Sequence, residues 1–180
     1  ELAVVLVIVS LLIGGLLVPL SAQMDARNVS DTRTSLAEIR EALLGYAAVN
    51  GRLPCPAAAT TARGAGGAGG EEFNLGTGQC SLLAGVLPWA TLGVKETDAW
   101  GRRYTYRVHW LFAQCTAPAY AVGAPCTSGY SFVLTSTGNM DVRSTAATAG
   151  GSVIANKVPA VVTSHGKNGN GAYSRTGTQF

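Results

Sequence analysis

The groups in this chain that could do chemistry are few and far apart. There are two histidines, His109 and His165, and four cysteines, Cys55, Cys80, Cys115 and Cys126. The carboxylates after residue 50 are Glu71, Glu72, Glu96, Asp98 and Asp141, and none has a histidine beside it in sequence. No GxSxG, HExxH or paired-carboxylate cluster occurs, so hydrolytic and general acid–base chemistry lack their residue sets. His109 falls on the polar side of an alternating segment and reads as a surface residue. His165 opens a glycine-rich loop and reads as a turn residue. No enzyme activity is expected.

The cysteines do not suit a metal. None sits in a CxxC or CxxCH, and two imidazoles are too few for a zinc site of ordinary spacing. No metal and no cofactor is expected. An even cysteine count suggests two disulfides and an oxidising compartment. Four cysteines allow three connectivities, of which nearest-neighbour pairing, Cys55–Cys80 and Cys115–Cys126, is the one expected. Each bridge would contribute about 2–4 kcal/mol by closing a loop of the unfolded chain.

One further charge stands out by position. Glu1 precedes a run from Leu2 to Leu20 whose only polar side chain is Ser10. As a helix this run spans roughly 28 Å, about the thickness of a bilayer core. A lone carboxylate at the edge of hydrocarbon is unfavourable without a partner. The run has neither the basic leader nor the small-residue cleavage site of a cleaved signal peptide. The chain also does not begin with Met, so an upstream piece is expected to have been removed or left out.

The elements that would carry these groups follow from periodicity. After Leu20 the sequence turns polar, with Val29, Leu36, Ile39, Leu43 and Tyr46 at helical spacing. Asn50-Gly51 and then Pro54 form a stop signal. One long helix over 1–50 is therefore expected, with an apolar half (1–22) and an amphipathic half (23–51). Gly14-Gly15 and Pro19 weaken the first half and suggest a kink or local melting, or close packing through small residues. The remaining 52–180 reads as a head. RGAGGAGG at 63–70 is expected to be an exposed flexible linker, and LPWATLG at 87–93 to pack Trp89 into the head. RRYTYRVHWLF at 102–112 alternates as a strand, with Tyr104, Tyr106, Val108, Trp110 and Phe112 inward and Arg103, Arg107 and His109 outward. Further strands are expected at 129–136, at 140–143 and at 157–164, the last with Pro159 at an edge or bulge. The class is α+β, a long helix packed on a small antiparallel sheet.

Charge is divided unevenly. Residues 1–50 carry three arginines against five acids, and 51–180 carry ten Lys and Arg against five acids. The basic head is either an ordinary solvated surface or one suited to weak, salt-dependent contact with DNA or an anionic surface. Arg103 and Arg107 share one strand face and the tyrosines the other, so no stacking platform for bases forms.

ELAVVLVIVSLLIGGLLVP, with the amphipathic continuation and the small sheet, resembles the type IV pilin and pseudopilin superfamily. In that superfamily leader cleavage leaves a glutamate ahead of such a run, and Glu1 matches it. TDAWGRRYTYRV at 97–108 is similar to the aspartate, tryptophan and glycine turn of major pseudopilins. SHGKNGNGAYS at 164–174 is similar to their glycine-rich C-terminal loop. The resemblance implies a helical homo-oligomeric filament on the bacterial cell surface, an inner-membrane residence before assembly, and contact with the pilus assembly machinery. It implies that Glu1 pairs with the N-terminal amine of a neighbouring subunit, and that Gly14, Gly15 and Pro19 serve assembly. For an isolated anchor, Glu1 would instead sit at the headgroups, favoured by the helix dipole. The major pilin of adhesion, motility or DNA capture, the secretion pseudopilin and the minor pilin all remain open. Calcium, which major pseudopilins bind in this loop, is not expected, because 164–178 contains no carboxylate.

Overall fold

The computed structural model describes residues 2–115, 131–133, 135–145 and 151–180; the side chains of 2, 8 and 10–20 are outside that description. Helix α1 runs Leu2–Asn50 as one unbroken element. The backbone is helical through Gly14, Gly15 and Pro19, so no melted stretch occurs there. The helix stops where the sequence signals it. Gly51 takes the left-handed conformation (φ 67°) that favours glycine, and its N–H donates to the Ala47 carbonyl at 2.9 Å. Asn50 Nδ2 donates to the Tyr46 carbonyl at 2.9 Å.

The head is built from short elements: β1 Phe73–Asn74, β2 Gln79–Cys80, β3 Ala84–Val86, α2 Trp89–Leu92, β4 Thr105–Val108, α3 Trp110–Ala113, β5 Met140–Arg143, β6 Val153–Val158 and β7 Ala160–Thr163. β1 and β2 pair as a hairpin, β5 pairs with β6, and β3-β4-β7 form a three-stranded sheet. All of these pairings are antiparallel. In the central sheet Val86 faces Thr105, and Thr105 in turn faces Thr163. With its N-terminal helix, the molecule is α+β.

The core lies between α1 and this sheet. Ile39, Leu43 and Ala47 on the helix pack with Leu87, Tyr104, Tyr106, Val108 and Phe112. The stripe begins lower than its apolar residues suggest, because Val29 is exposed. Buried Thr32 and Ser35 come first. These small side chains let the backbone of the head approach, and Ala99 N donates to Thr32 Oγ1 at 3.3 Å.

Several expected strands are shorter or absent. The 102–112 strand ends at Val108, and Trp110–Ala113 form one helical turn. Its buried residues, His109, Phe112 and Ala113, are spaced three and one apart, which suits a turn and not a strand. Trp110 is therefore half exposed, and His109 is buried beside Trp110 and Phe112, not on the surface. Ser131–Val133 carry no strand pairing; Ser131 N donates to the Gly51 carbonyl at 2.8 Å, and Phe132 packs on Phe112 with centroids 5.0 Å apart. Tyr130 and Leu134 lie outside the described residues. Pro159 breaks the expected 157–164 strand in two, and β6 and β7 pair with different partners.

The glycine-rich 63–70 stretch is not a free linker. It is a string of turns closed by Ala65 N to Ala62 O and Gly70 N to Gly67 O. Gly69 is buried where a Cβ would collide with the Trp89 indole, and its carbonyl accepts from Ala90 N at 2.9 Å.

Ile39 is the most deeply buried apolar residue among the described side chains of α1, at 1% exposure. Ile39→Ala is expected to destabilise the head by about 2–5 kcal/mol, read by urea denaturation of the detergent-solubilised chain.

Candidate functional site

The feature that needs a functional account is the upper half of α1. Val4, Val5, Val7 and Val9 are 61%, 57%, 59% and 44% exposed, and Met24 is 59% exposed. Along the described side chains, burial against the head begins at about Asp25 and continues through Asn28, Thr32, Ser35, Leu36, Ile39, Leu43, Tyr46 and Ala47. The described side chains of residues 3–7, 9 and 21–24 are exposed. Among the described residues no helix is long and apolar enough to cross a membrane. Glu1 lies outside the described residues.

Two groups of polar contacts hold the projecting helix to the head. The first is at its lower end. Arg52 makes a two-pronged ion pair with Glu71, Nη1 to Oε2 and Nη2 to Oε1, both 2.8 Å. Tyr46 OH donates to Glu71 Oε1 at 2.7 Å, and Cys55 N donates to Oε2 at 2.9 Å. Arg52 lies over the Phe73 ring at 4.0 Å. Burial alone would raise the Glu71 pKa, but the Arg52 hydrogen bonds and charge outweigh it and hold the carboxyl below its ordinary value. Burial likewise opposes charge on Arg52, and Glu71 outweighs it, so the guanidinium is raised. Burial and the neighbouring Glu71 raise the Tyr46 phenol, which stays neutral. Beside this cluster the expected Cys55–Cys80 disulfide forms. Cys115 is also disulfide-bonded; its expected partner Cys126 lies outside the described residues.

The second group is higher on the helix and unites the two head motifs singled out in the sequence. Asp98 Oδ1 accepts from Trp100 N and Arg102 N, both at 3.0 Å, closing the turn. Asp98 Oδ2 accepts from Ser164 Oγ at 2.6 Å. Arg102 Nη1 donates to the Gly166 carbonyl at 2.8 Å, and its guanidinium lies 5.3 Å from the Phe180 ring centroid. Gly169, with φ +66°, leaves the space that the Arg102 side chain fills. Lys167 at the loop tip pairs with Asp25 of α1 at 2.6 Å. The 97–102 turn and the 164–171 loop are thus one unit resting on α1.

His165 is held at both ring nitrogens. His165 Nδ1 lies 2.8 Å from the Asn170 carbonyl and Nε2 lies 2.7 Å from Thr105 Oγ1. A carbonyl only accepts, so Nδ1 carries the proton and Nε2 accepts from the threonine hydroxyl. Among the described residues no group of His, Cys, Asp and Glu could hold a metal ion.

Sequence reasoning missed the buried ion pairs. Arg52 and Glu71 are 19 residues apart, with no periodicity linking them. Arg103, expected on an outward strand face, is wholly buried and pairs with Glu96. It precedes β4, so the alternation does not apply to it.

No family model matches this sequence, and no curated protein or solved structure is significantly similar to it.

Glu71→Gln should leave Arg52 buried without its counter-charge and cost about 3–5 kcal/mol near neutral pH. The folded-state pKa of Glu71 is lowered, so its contribution is present above the ordinary glutamate value and is lost as pH falls through the folded one. The stability gap between wild type and variant should therefore narrow in acid, measured by denaturation over a pH series.

Proposed function

We propose that this chain is a structural subunit of a type IV pilus-like extracellular filament, a pilin-like protein that assembles helically through its N-terminal half-helix. The observation that carries the reading is the N-terminal segment of α1, whose described valines are 44–61% exposed. Each such side chain gains about 1.5–3 kcal/mol when fully removed from water. Several in succession make an uncovered helix an unfavourable end state, and two apolar covers suit it. The inner membrane covers the unassembled subunit, and the same segments of other copies cover it in a filament. Copies related by a screw operation bury one another without closing a ring.

Glu1 gives this packing a register. A carboxylate among apolar helices is tolerated only when paired, and the N-terminal amine of the next subunit supplies the pair. A subunit docked out of register leaves both charges alone. Gly14-Gly15 permits close approach of helix backbones, and Pro19 provides a weak point where the stalk bends as subunits pack. The heads then form the outer surface of the filament, reached through the pilus assembly machinery.

A second reading within the same class is a pseudopilin of a secretion filament or a minor pilin. The joining of the 97–102 turn to the 164–171 loop through Asp98 and Ser164 favours it, because both segments are the ones similar to major pseudopilins. Catalysis plays no part in either reading.

Glu1→Ala should leave the subunit folded and in the membrane but lower filament yield severely, since loss of one partner of a buried pair costs about 3–5 kcal/mol. The check is immunoblotting of sheared surface material against the membrane fraction. Filament yield equal to wild type would refute the pairing.

A further inference from the structure

We infer that the cleft beside Glu96 is a binding site for an oxyanion of the phosphate type, held by the guanidinium groups of Arg63 and Arg175. The floor of the site is a closed ion pair. Arg103 is 0% exposed, and its Nε and Nη2 both donate to Glu96 Oε1, at 3.1 and 2.9 Å. Its Nη1 donates to the carbonyls of Ala59 and Thr61. Arg103 therefore takes up the charge of Glu96 by itself. The other oxygen of the same carboxylate draws in two more arginines, Arg63 Nε at 3.5 Å and Arg175 Nε at 3.9 Å. Three arginines thus share the single negative charge of Glu96.

The backbone brings them together. Arg63 N donates to the Arg175 carbonyl at 2.8 Å, so the two backbones are joined directly. Arg175 Nη2 donates to Thr97 Oγ1 at 2.9 Å. Both side chains are more than half exposed and line an open cleft of 510 Å³ together with Lys95, Glu96 and Asp98. The terminal nitrogens of Arg63 and Nη1 of Arg175 donate to nothing among the described residues. Asp98 makes no ion pair with either arginine; its oxygens accept from Trp100 N, Arg102 N and Ser164 Oγ. Four cations, Arg63, Lys95, Arg103 and Arg175, thus surround two carboxylates.

Planar guanidiniums presented as a pair match the oxygens of a phosphate group. The cleft does not suit a base. Trp89 also lines it, but Arg103 lies over its ring at 4.6 Å and Gly69 is pressed against it. Recognition is therefore of the anionic group alone and is independent of nucleotide sequence. The site is complete within one subunit and does not depend on filament assembly.

The test uses the full chain in non-ionic detergent micelles, titrated with inorganic phosphate by ³¹P NMR and with a labelled single-stranded oligonucleotide by fluorescence anisotropy. Wild type is expected to bind, and Arg63→Ala/Arg175→Ala to weaken binding about tenfold and lower the oligonucleotide salt slope by about two. Arg107→Ala, an exposed position on β4 outside the cleft, should change neither. Arg63→Lys/Arg175→Lys, which keeps the charge and loses the fork, should fall between and serves if the alanine pair does not fold. Binding of phosphate alone assigns the site to the free ion, and binding of the oligonucleotide alone assigns it to a phosphodiester. Both support the site if the cleft variants weaken them. Binding unchanged in the cleft variants, equal loss in Arg107→Ala, or no binding of either probe overturns it, leaving the arginines as a tie between two loops.

Discussion

The head exists around one stripe of one helix. From Thr32 to Ala47, α1 offers a stripe with one buried residue every three or four positions, and Tyr104 together with Tyr106 and Val108 of β4 closes over it. That contact is the only extensive apolar burial the described residues provide. It lies on the C-terminal half of a 49-residue helix, while the described side chains near its N-terminus, Val4, Val5, Val7 and Val9, are exposed. The proposed filament gives those side chains their cover.

Short strands make this head dependent on polar ties. Among the described residues its longest strand has six residues, and two-residue strands carry little burial. Arg52–Glu71, Arg103–Glu96 and the Asp98 junction join segments that no sheet joins. Each places a charge where water is scarce and then satisfies it fully. Buried pairs of this kind add little net stability over an apolar substitute, but losing one partner is costly. They therefore select one arrangement of loops over others. The Cys55–Cys80 bridge acts in the same region, tying the segment after α1 to the β1–β2 hairpin.

Local signals in the sequence were legible where a single element decides the outcome. Asn50-Gly51 ends α1, and the alternation of Tyr106 and Val108 lies in β4, while the single strand expected over 157–164 is divided at Pro159, a residue without an N–H. The nearest-neighbour pairing of Cys55 with Cys80 holds. Failures came where tertiary contact overrides pattern. Trp110 and Phe112 continue a period of two on paper, but the chain turns after Val108 and separates them, one outward and one inward. Val29 fits the helical stripe yet lies above the part of the head that reaches Thr32. RGAGGAGG looks like a flexible tether, but its lack of side chains is what lets Gly69 sit on Trp89. Arg103 and Glu96 carry no mark in sequence that they will be buried together. Of the proposed assembly residues, Glu1 was legible as an anomaly of position, and Gly14, Gly15 and Pro19 as weak points in a helix that the fold keeps continuous.

The central claim is that copies of the same helix cover residues 2–24. Electron microscopy of sheared cell-surface material, with mass spectrometry of its main protein, addresses it directly. Filaments composed chiefly of this chain, with the N-terminal helices bundled along the axis and the heads outward, are the predicted result. Recovery of the chain only as a dispersed membrane species, with no filament containing it, would contradict the account.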